Sequence, residues 1–153
     1  MPTNYLIYSA VSRNVPVPIV LSADLEPPDA PTGGTLQTAF CDTSAIHVWN
    51  LESIPFHSGL YVLQHAYSGF YANFGAVGEQ VTLSPFVPFD YNSFVTINSG
   101  DPFQTRIQNA NSGLCLKVAG SSYTPPAPVV ADPGTDPAEG LNWLLVPTDV
   151  ALE

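Results

Sequence analysis

Proline and glycine set the limits on what this chain can fold into. Sixteen prolines and eleven glycines are scattered over 153 residues, so hardly any proline-free window carries a helical apolar period. A proline inside a helix removes one hydrogen bond and clashes with the preceding turn, at a cost of about 3 kcal/mol. Short β-rich runs bounded by turn residues recur instead: YLIY at 5–8, IHVWNL at 46–51, LYVL at 60–63, QVTL at 80–83, SFVTI at 93–97, TRIQ at 105–108, LCLKV at 114–118 and WLLV at 143–146. The expected class is all-β.

A long period runs through these strands. Ser68-Gly69 and Ser112-Gly113 each follow one strand and open another, and Trp49, Phe94 and Trp143 each begin an apolar strand. The chain divides into three loosely similar units, 4–54, 59–99 and 102–149, within one domain spanning 1–153. One such unit cannot bury its apolar face alone, whereas three around an axis can. Trp49 and Trp143 are therefore expected in the core. The middle of the first unit, 21–40, gives no readable pattern.

Charge narrows the partners. Three basic residues, Arg13, Arg106 and Lys117, face thirteen acids, for a formal net charge of −10. Such a surface repels phosphate backbones and anionic lipid, so neither nucleic acid nor a membrane is an expected partner. The most apolar run, 15–21, is too short to span a bilayer and contains Pro16 and Pro18,. The opening MPTNYLIYSA has no basic segment before an apolar one, and no Asn-x-Ser/Thr sequon occurs. The expected location is cytoplasmic, with action outside the cell after release. Cys41 and Cys115 form no CxxC and are expected as packed thiols, although a disulfide between them is left open,.

The stretch RIQNANSGLCLKV, followed by APVV and NWLLVP, resembles one repeat of the ricin-B-type β-trefoil lectins. So do LYVLQHAYSGFYANFG, QVTLSP and NSFVTI, with Phe94 in the place of a tryptophan, and the ends of the first unit, YLIYSAVSRNVPVPIVL and HVWNLESI. Small fungal proteins of this architecture, many of them lectins, are closest in general character. The resemblance implies a single β-trefoil of twelve short strands. It also implies a non-enzymatic carbohydrate-binding function in defence, with glycans or glycoproteins as partners and no cofactor or metal. A site of this type needs a strand carboxylate, an aromatic platform and an amide near a Q-x-W motif. It binds weakly, so several sites or a homodimer would supply avidity.

By this alignment the third unit breaks the pattern at Lys117, Asp132 and Leu141, and the first at Val20 and His47. The second keeps most of it. Asn73 stands at the carboxylate position and Asn92 at the glutamine, with Asp90 and Tyr91 beside it and Tyr71, Phe74 and Phe86 as nearby aromatics. The expected ligand-binding residues are thus Tyr71, Asn73, Asp90, Tyr91 and Asn92. Their competing reading is structural: core or barrel-cap aromatics, and asparagines serving turns.

Other chemistry is poorly supported. His47, His57 and His65 have no metal-ligand spacing, and HExxH, GxSxG, P-loop and dinucleotide motifs are absent,. CDTSA at 41–45 is only a short match to an aspartic-protease motif. The acidic proline segments 22–34 and 130–140 lack EF-hand spacing and read as solvated loops,. The alternative function is a β-trefoil protease inhibitor acting through an exposed proline-containing loop, with 22–34, 121–129 and 130–140 as candidates,. Scarce lysine and arginine argue against a trypsin-directed loop, for which Arg13 in SRNVP is the one candidate. A third reading is a trefoil that has lost sugar binding and works through protein contacts or stores amino acids. Scarcity of lysine and arginine predicts that the folded protein resists trypsin. Rapid cleavage on a gel time course would contradict that.

Overall fold

The computed structural model describes residues 3–10, 17–26, 33–42, 44–55, 59–85, 91–98, 105–119, 125–134 and 139–148, and the structural statements below concern these. They form twelve strands: β1 (Thr3–Ser9), β2 (Ile19–Glu26), β3 (Gly33–Phe40), β4 (Val48–Ser53), β5 (Tyr61–His65), β6 (Tyr71–Asn73), β7 (Thr82–Ser84), β8 (Phe94–Asn98), β9 (Arg106–Asn109), β10 (Cys115–Val118), β11 (Val129–Asp132) and β12 (Trp143–Pro147). Short 3₁₀ turns at Ala45–His47, Tyr91–Ser93 and Glu139–Leu141 lead into β4, β8 and β12. The all-β expectation holds.

The described parts of the unreadable stretch, 21–26 and 33–40, are paired strands. β2 and β3 pair antiparallel from Ile19↔Phe40 to Glu26↔Gly33. The expectation of a solvated loop over 22–34 is corrected here, because residues 22–26 and 33–34 are strand. Leu21, Ala23 and Leu25 alternate into the core while Asp24 faces out, the period-two pattern of a half-buried strand,. Likewise 130–132 is strand rather than loop.

The strands close on themselves. Pairings β1–β2, β2–β3, β3–β7, β7–β6, β6–β5, β5–β4 and β4–β1 make a ring of seven. β8 and β9 extend from β5, and β12 returns to β1 over Tyr5↔Pro147 to Ser9↔Trp143. A bridge between Thr105 and Trp143 links β12 back to the start of β9. Closure matters because an open edge leaves backbone donors and acceptors without partners.

Buried side chains fill the interior, among them Ile7, Leu21, Trp49, Leu63, Phe74, Ile107, Leu116 and Trp143. Each fully buried residue of this size contributes about 1.5–3 kcal/mol from apolar surface removed from water. Both tryptophans also use their polar end. Trp49 Nε1 donates to Leu21 O at 2.9 Å, and Trp143 Nε1 donates to Leu116 O at 3.1 Å. Each indole thereby ties its own strand to another, β4 to β2 and β12 to β10, as expected for a core role.

The two Ser-Gly pairs make the same turn. Gly69 N donates to His65 O at 2.8 Å, and Gly113 N donates to Asn109 O at 2.9 Å. Gln64 Nε2 donates to Gly69 O and Gln108 Nε2 to Gly113 O. Both glycines have φ near 80°, at 79° and 78°, in a region that a Cβ disfavours. Trp143→Phe keeps the ring but orphans Leu116 O and leaves a gap. It should lower unfolding free energy by about 2 kcal/mol, read as a reduced urea midpoint at unchanged slope.

Candidate functional site

A surface cleft of about 400 Å³ opens between the first and second units. One wall is the outer part of β2, at Ala23, Asp24 and Leu25. A second is the 3₁₀ turn with its cap, at Ser44, Ala45 and Ile46. Tyr67, from the turn between β5 and β6, closes the third side and is 53% exposed. Asp24 is also exposed and supplies a carboxylate acceptor.

Local sequence explains the second wall. Asp42 Oδ1 accepts from Ser44 N at 2.8 Å, and Ser44 Oγ accepts from Ile46 N at 3.3 Å. Asp42 and Ser44 thus serve as turn and cap residues here. Beneath the wall, buried His47 meets Ser22 Oγ through Nδ1 at 2.9 Å. Its Nε2 lies 2.9 Å from Asp42 Oδ1 but outside hydrogen-bond geometry, and so has no hydrogen-bond partner. The contact gains ionic character only when the ring is protonated. Ser22 is itself buried, so this Ser–His–Asp series is a support for the cleft and offers no accessible nucleophile.

Pairing register shows how the units correspond, and it corrects three alignments. Trp49 pairs with His65, Val95 with Asn109, and Trp143 with Ser9. Val95, fully buried, therefore occupies the tryptophan position of the second unit, and the half-buried Phe94 precedes it. A slip of one residue along a strand exchanges its faces, which is why the aromatic was misleading. By the same count the glutamine position is Ser93 rather than Asn92, matching His47 and Leu141. All three of these residues are buried. In the first unit Val20 pairs with Tyr8 as Tyr71 pairs with Gln64 and Cys115 with Gln108. The carboxylate position is therefore Ser22, two residues beyond Val20, and it matches Asn73 and Lys117.

Of the sequence-predicted residues, Tyr71 and Asn73 lie half-buried on one face of β6, with buried Ala72 between them on the other. Burial, then the nearby Glu52 charge, pushes the Tyr71 hydroxyl above its usual pKa. Tyr91 and Asn92 stand on the 3₁₀ turn that corresponds to Ala45 and Ile46 of the cleft wall. Asn92 is exposed, its backbone O accepts from Phe74 N at 3.0 Å, and its Oδ1 accepts from Asn111 Nδ2 at 3.3 Å. β6 and this turn are thus brought side by side. Asp90 lies outside the described residues, as do Phe86, His57 and Arg13. Phe74 is core.

Sequence reading missed Asp24, Ser44 and Tyr67. Asp24 sat in a stretch without visible strand pattern, and Tyr67 comes from the neighbouring unit. In the third unit Lys117 is half-buried and pairs with Asp132 at 3.7 Å. Both cysteines are free thiols, Cys115 buried and Cys41 partly exposed. Burial raises the Cys115 thiol pKa, only partly opposed by Arg106. The described part of the proline loop is tied down, with Ala127 N donating to Thr38 Oγ1 at 3.0 Å and Thr38 N to Ala127 O at 2.9 Å. Among the described residues, no group of three or more His, Cys, Asp or Glu could hold a metal, and no helix is long and apolar enough to cross a membrane.

Known structures share this architecture. The designed threefold-symmetric protein ThreeFoil matches with a TM-score of 0.79 at 17% identity, over 95% of this chain and 99% of its own. The C-terminal half of an earthworm R-type lectin, solved with GalNAc, matches with a TM-score of 0.69 at 15% identity, over 96% of this chain and 100% of its own. A Polyporus squamosus lectin, solved with Neu5Aca2-6Galb1-4GlcNAc, matches with a TM-score of 0.73 at 16% identity, over 94% of this chain and 48% of its own. This chain spans about half the length of that lectin. No family model matches the sequence, and no curated protein matches it. The fold is that of β-trefoil proteins, and the ricin-B resemblance read from the sequence is upheld at that level.

Ser22→Ala should leave His47 Nδ1 buried without a partner and destabilise the protein by about 1–3 kcal/mol. Denaturant unfolding monitored by tryptophan fluorescence would measure this.

Proposed function

We propose that this chain is a non-enzymatic carbohydrate-binding protein, a ricin-B-type β-trefoil of three pseudo-symmetric four-strand units in one domain. The observation that carries the reading is the cleft bounded by Asp24, Ser44 and Tyr67. A carboxylate and a hydroxyl can bond sugar hydroxyls while an exposed aromatic side chain covers the apolar side of the ring. The lectins among the structural neighbours support it.

A second, weaker site is proposed on the second unit, built from Tyr71, Asn73, Asp90, Tyr91 and Asn92. It uses the turn that corresponds to the cleft wall of the first unit, so two sites of one design would lie on one domain. Two weak sites engaging one glycoprotein gain avidity without any new contact. Homodimer formation would act in the same direction.

A glycan array probed with labelled protein is the first test. Selective hits sharing a terminal sugar are expected, and a blank array at high protein concentration would reject the proposal. Asp24→Asn and Tyr67→Ala should each weaken solution affinity by about tenfold, since loss of one such contact is worth roughly 1.4 kcal/mol. Neither should alter the urea midpoint, because both side chains are exposed. Asn73→Ala should reduce retention on a multivalent sugar column and leave monovalent binding at the first cleft intact.

A further inference from the structure

His65 joins two walls of the proposed sugar cleft. It ends β5 and is fully buried. Its Nε2 lies 2.8 Å from Ile46 O, and its Nδ1 lies 2.7 Å from Ser68 Oγ. Ile46 lines the cleft from the 3₁₀ turn, and Ser68 is next to Tyr67 in the turn that forms the opposite side. The ring also meets Tyr67 edge-on at 6.5 Å and Trp49 at 4.9 Å. We infer that His65 is a positioning residue that holds these two walls together in its neutral form, so that carbohydrate binding at the cleft weakens under mildly acidic conditions. This rests on the carbohydrate-binding reading of the cleft.

The partners assign the tautomer. A carbonyl oxygen only accepts, so Nε2 carries the proton that bonds Ile46 O, and Nδ1 accepts from the Ser68 hydroxyl. Ser68 Oγ in turn accepts from Phe70 N at 3.2 Å. A second proton can enter only at Nδ1. It would turn the Ser68 hydroxyl from donor to acceptor, strand that hydroxyl's hydrogen, and place a charge in a buried site.

Charged neighbours do not relieve that cost. Burial lowers the His65 pKa from its ordinary 6.5; the Ile46 carbonyl opposes this only in part, and the neighbouring His47 adds to the lowering. Asp42 stands beyond His47, 2.9 Å from the Nε2 of that ring. Tyr67 presents its ring edge-on, and Asp24 lines the far wall of the cleft. The sign follows. The folded cleft disfavours the charged ring, so its stabilisation is complete above 6.5 and is lost as pH falls from 6.5 toward the lowered value,. States with the two walls apart and His65 charged then gain population.

The chain contains its own control. At the corresponding position of the third unit stands Asn109, whose Oδ1 accepts from Ser112 Oγ at 2.7 Å and from Ser112 N at 2.8 Å. Its Nδ2 donates to Phe94 O at 3.0 Å. The same turn is therefore built without a titrating group, and an asparagine at 65 can keep the Ser68 contact while losing the reach to Ile46.

The test compares wild-type protein with His65→Asn between about pH 7.5 and about pH 5, above the range where carboxylates titrate. Monovalent affinity for the best array glycan and the Tyr67 ring signals in ligand-free protein are both followed. Wild type should bind roughly tenfold more weakly at the acidic end than at the neutral end. Its Tyr67 signals should shift in the same range. The variant should fold, bind at neutral pH near the acidic wild-type level, and show a flat profile with static Tyr67 signals. A wild-type Tyr67 environment that ignores pH, or a variant that keeps the wild-type profile, overturns the inference. If no glycan binds at neutral pH, the functional reading falls, and the Tyr67 signals alone decide the role of His65.

Discussion

The pairing of the first strand with the last holds this structure together. β1 and β12 come from opposite ends of the chain and run alongside each other over five residue pairs. β1 also pairs with β2 and β4, so it is the seam through which the ring closes. An all-β chain with this much proline cannot hide its backbone polar groups in helices. It must give strand edges partners, and closure does so for the seven strands of the ring. Such closure is non-local, which makes the fold slow to assemble relative to its size.

One framework carries different chemistry at corresponding places. Trp49 and Trp143 pin strands through their indoles, and Val95 fills the third such position by volume alone. The strand position that would hold a sugar-binding carboxylate is Ser22, Asn73 or Lys117, and the glutamine position is His47, Ser93 or Leu141. In the first unit these two positions bond to each other beneath the surface through Ser22 and His47. Polar capacity at the surface moves outward to Asp24 and Ser44, with Tyr67 borrowed from the next unit. In the third unit Lys117 is engaged by Asp132. In the first unit the cleft is thus built from residues that neighbour these two positions.

The histidines show why a resemblance in motif does not settle a role. His47 and His65 lack metal spacing, and both are buried parts of hydrogen-bond networks around the cleft. Their contribution is to hold wall segments at a fixed spacing. Whether such a residue titrates depends on burial and neighbours, which only the folded chain supplies.

Taken alone, the sequence determined the all-β class. Proline placement excluded helices, strand periodicity placed most of the twelve strands, and the Ser-Gly pairs marked turns whose glycines do take positive φ. It also marked Trp49 and Trp143 as core. It could not show the β2–β3 pairing, because alternation in SADLE is masked by small and acidic residues beside prolines. Nor could it set the register, where Phe94 stood in for Val95 and Val20 for Ser22, since a slip costs nothing in composition, although one residue exchanges the buried face and two move the position along the same face. Of the second-unit residues it selected, Tyr71 and Asn73 lie on β6, and Tyr91 and Asn92 on the turn before β8. The cleft itself was decided only by tertiary structure, because Asp24, Ser44 and Tyr67 are distant in sequence and meet only when ring closure brings the second unit against the first.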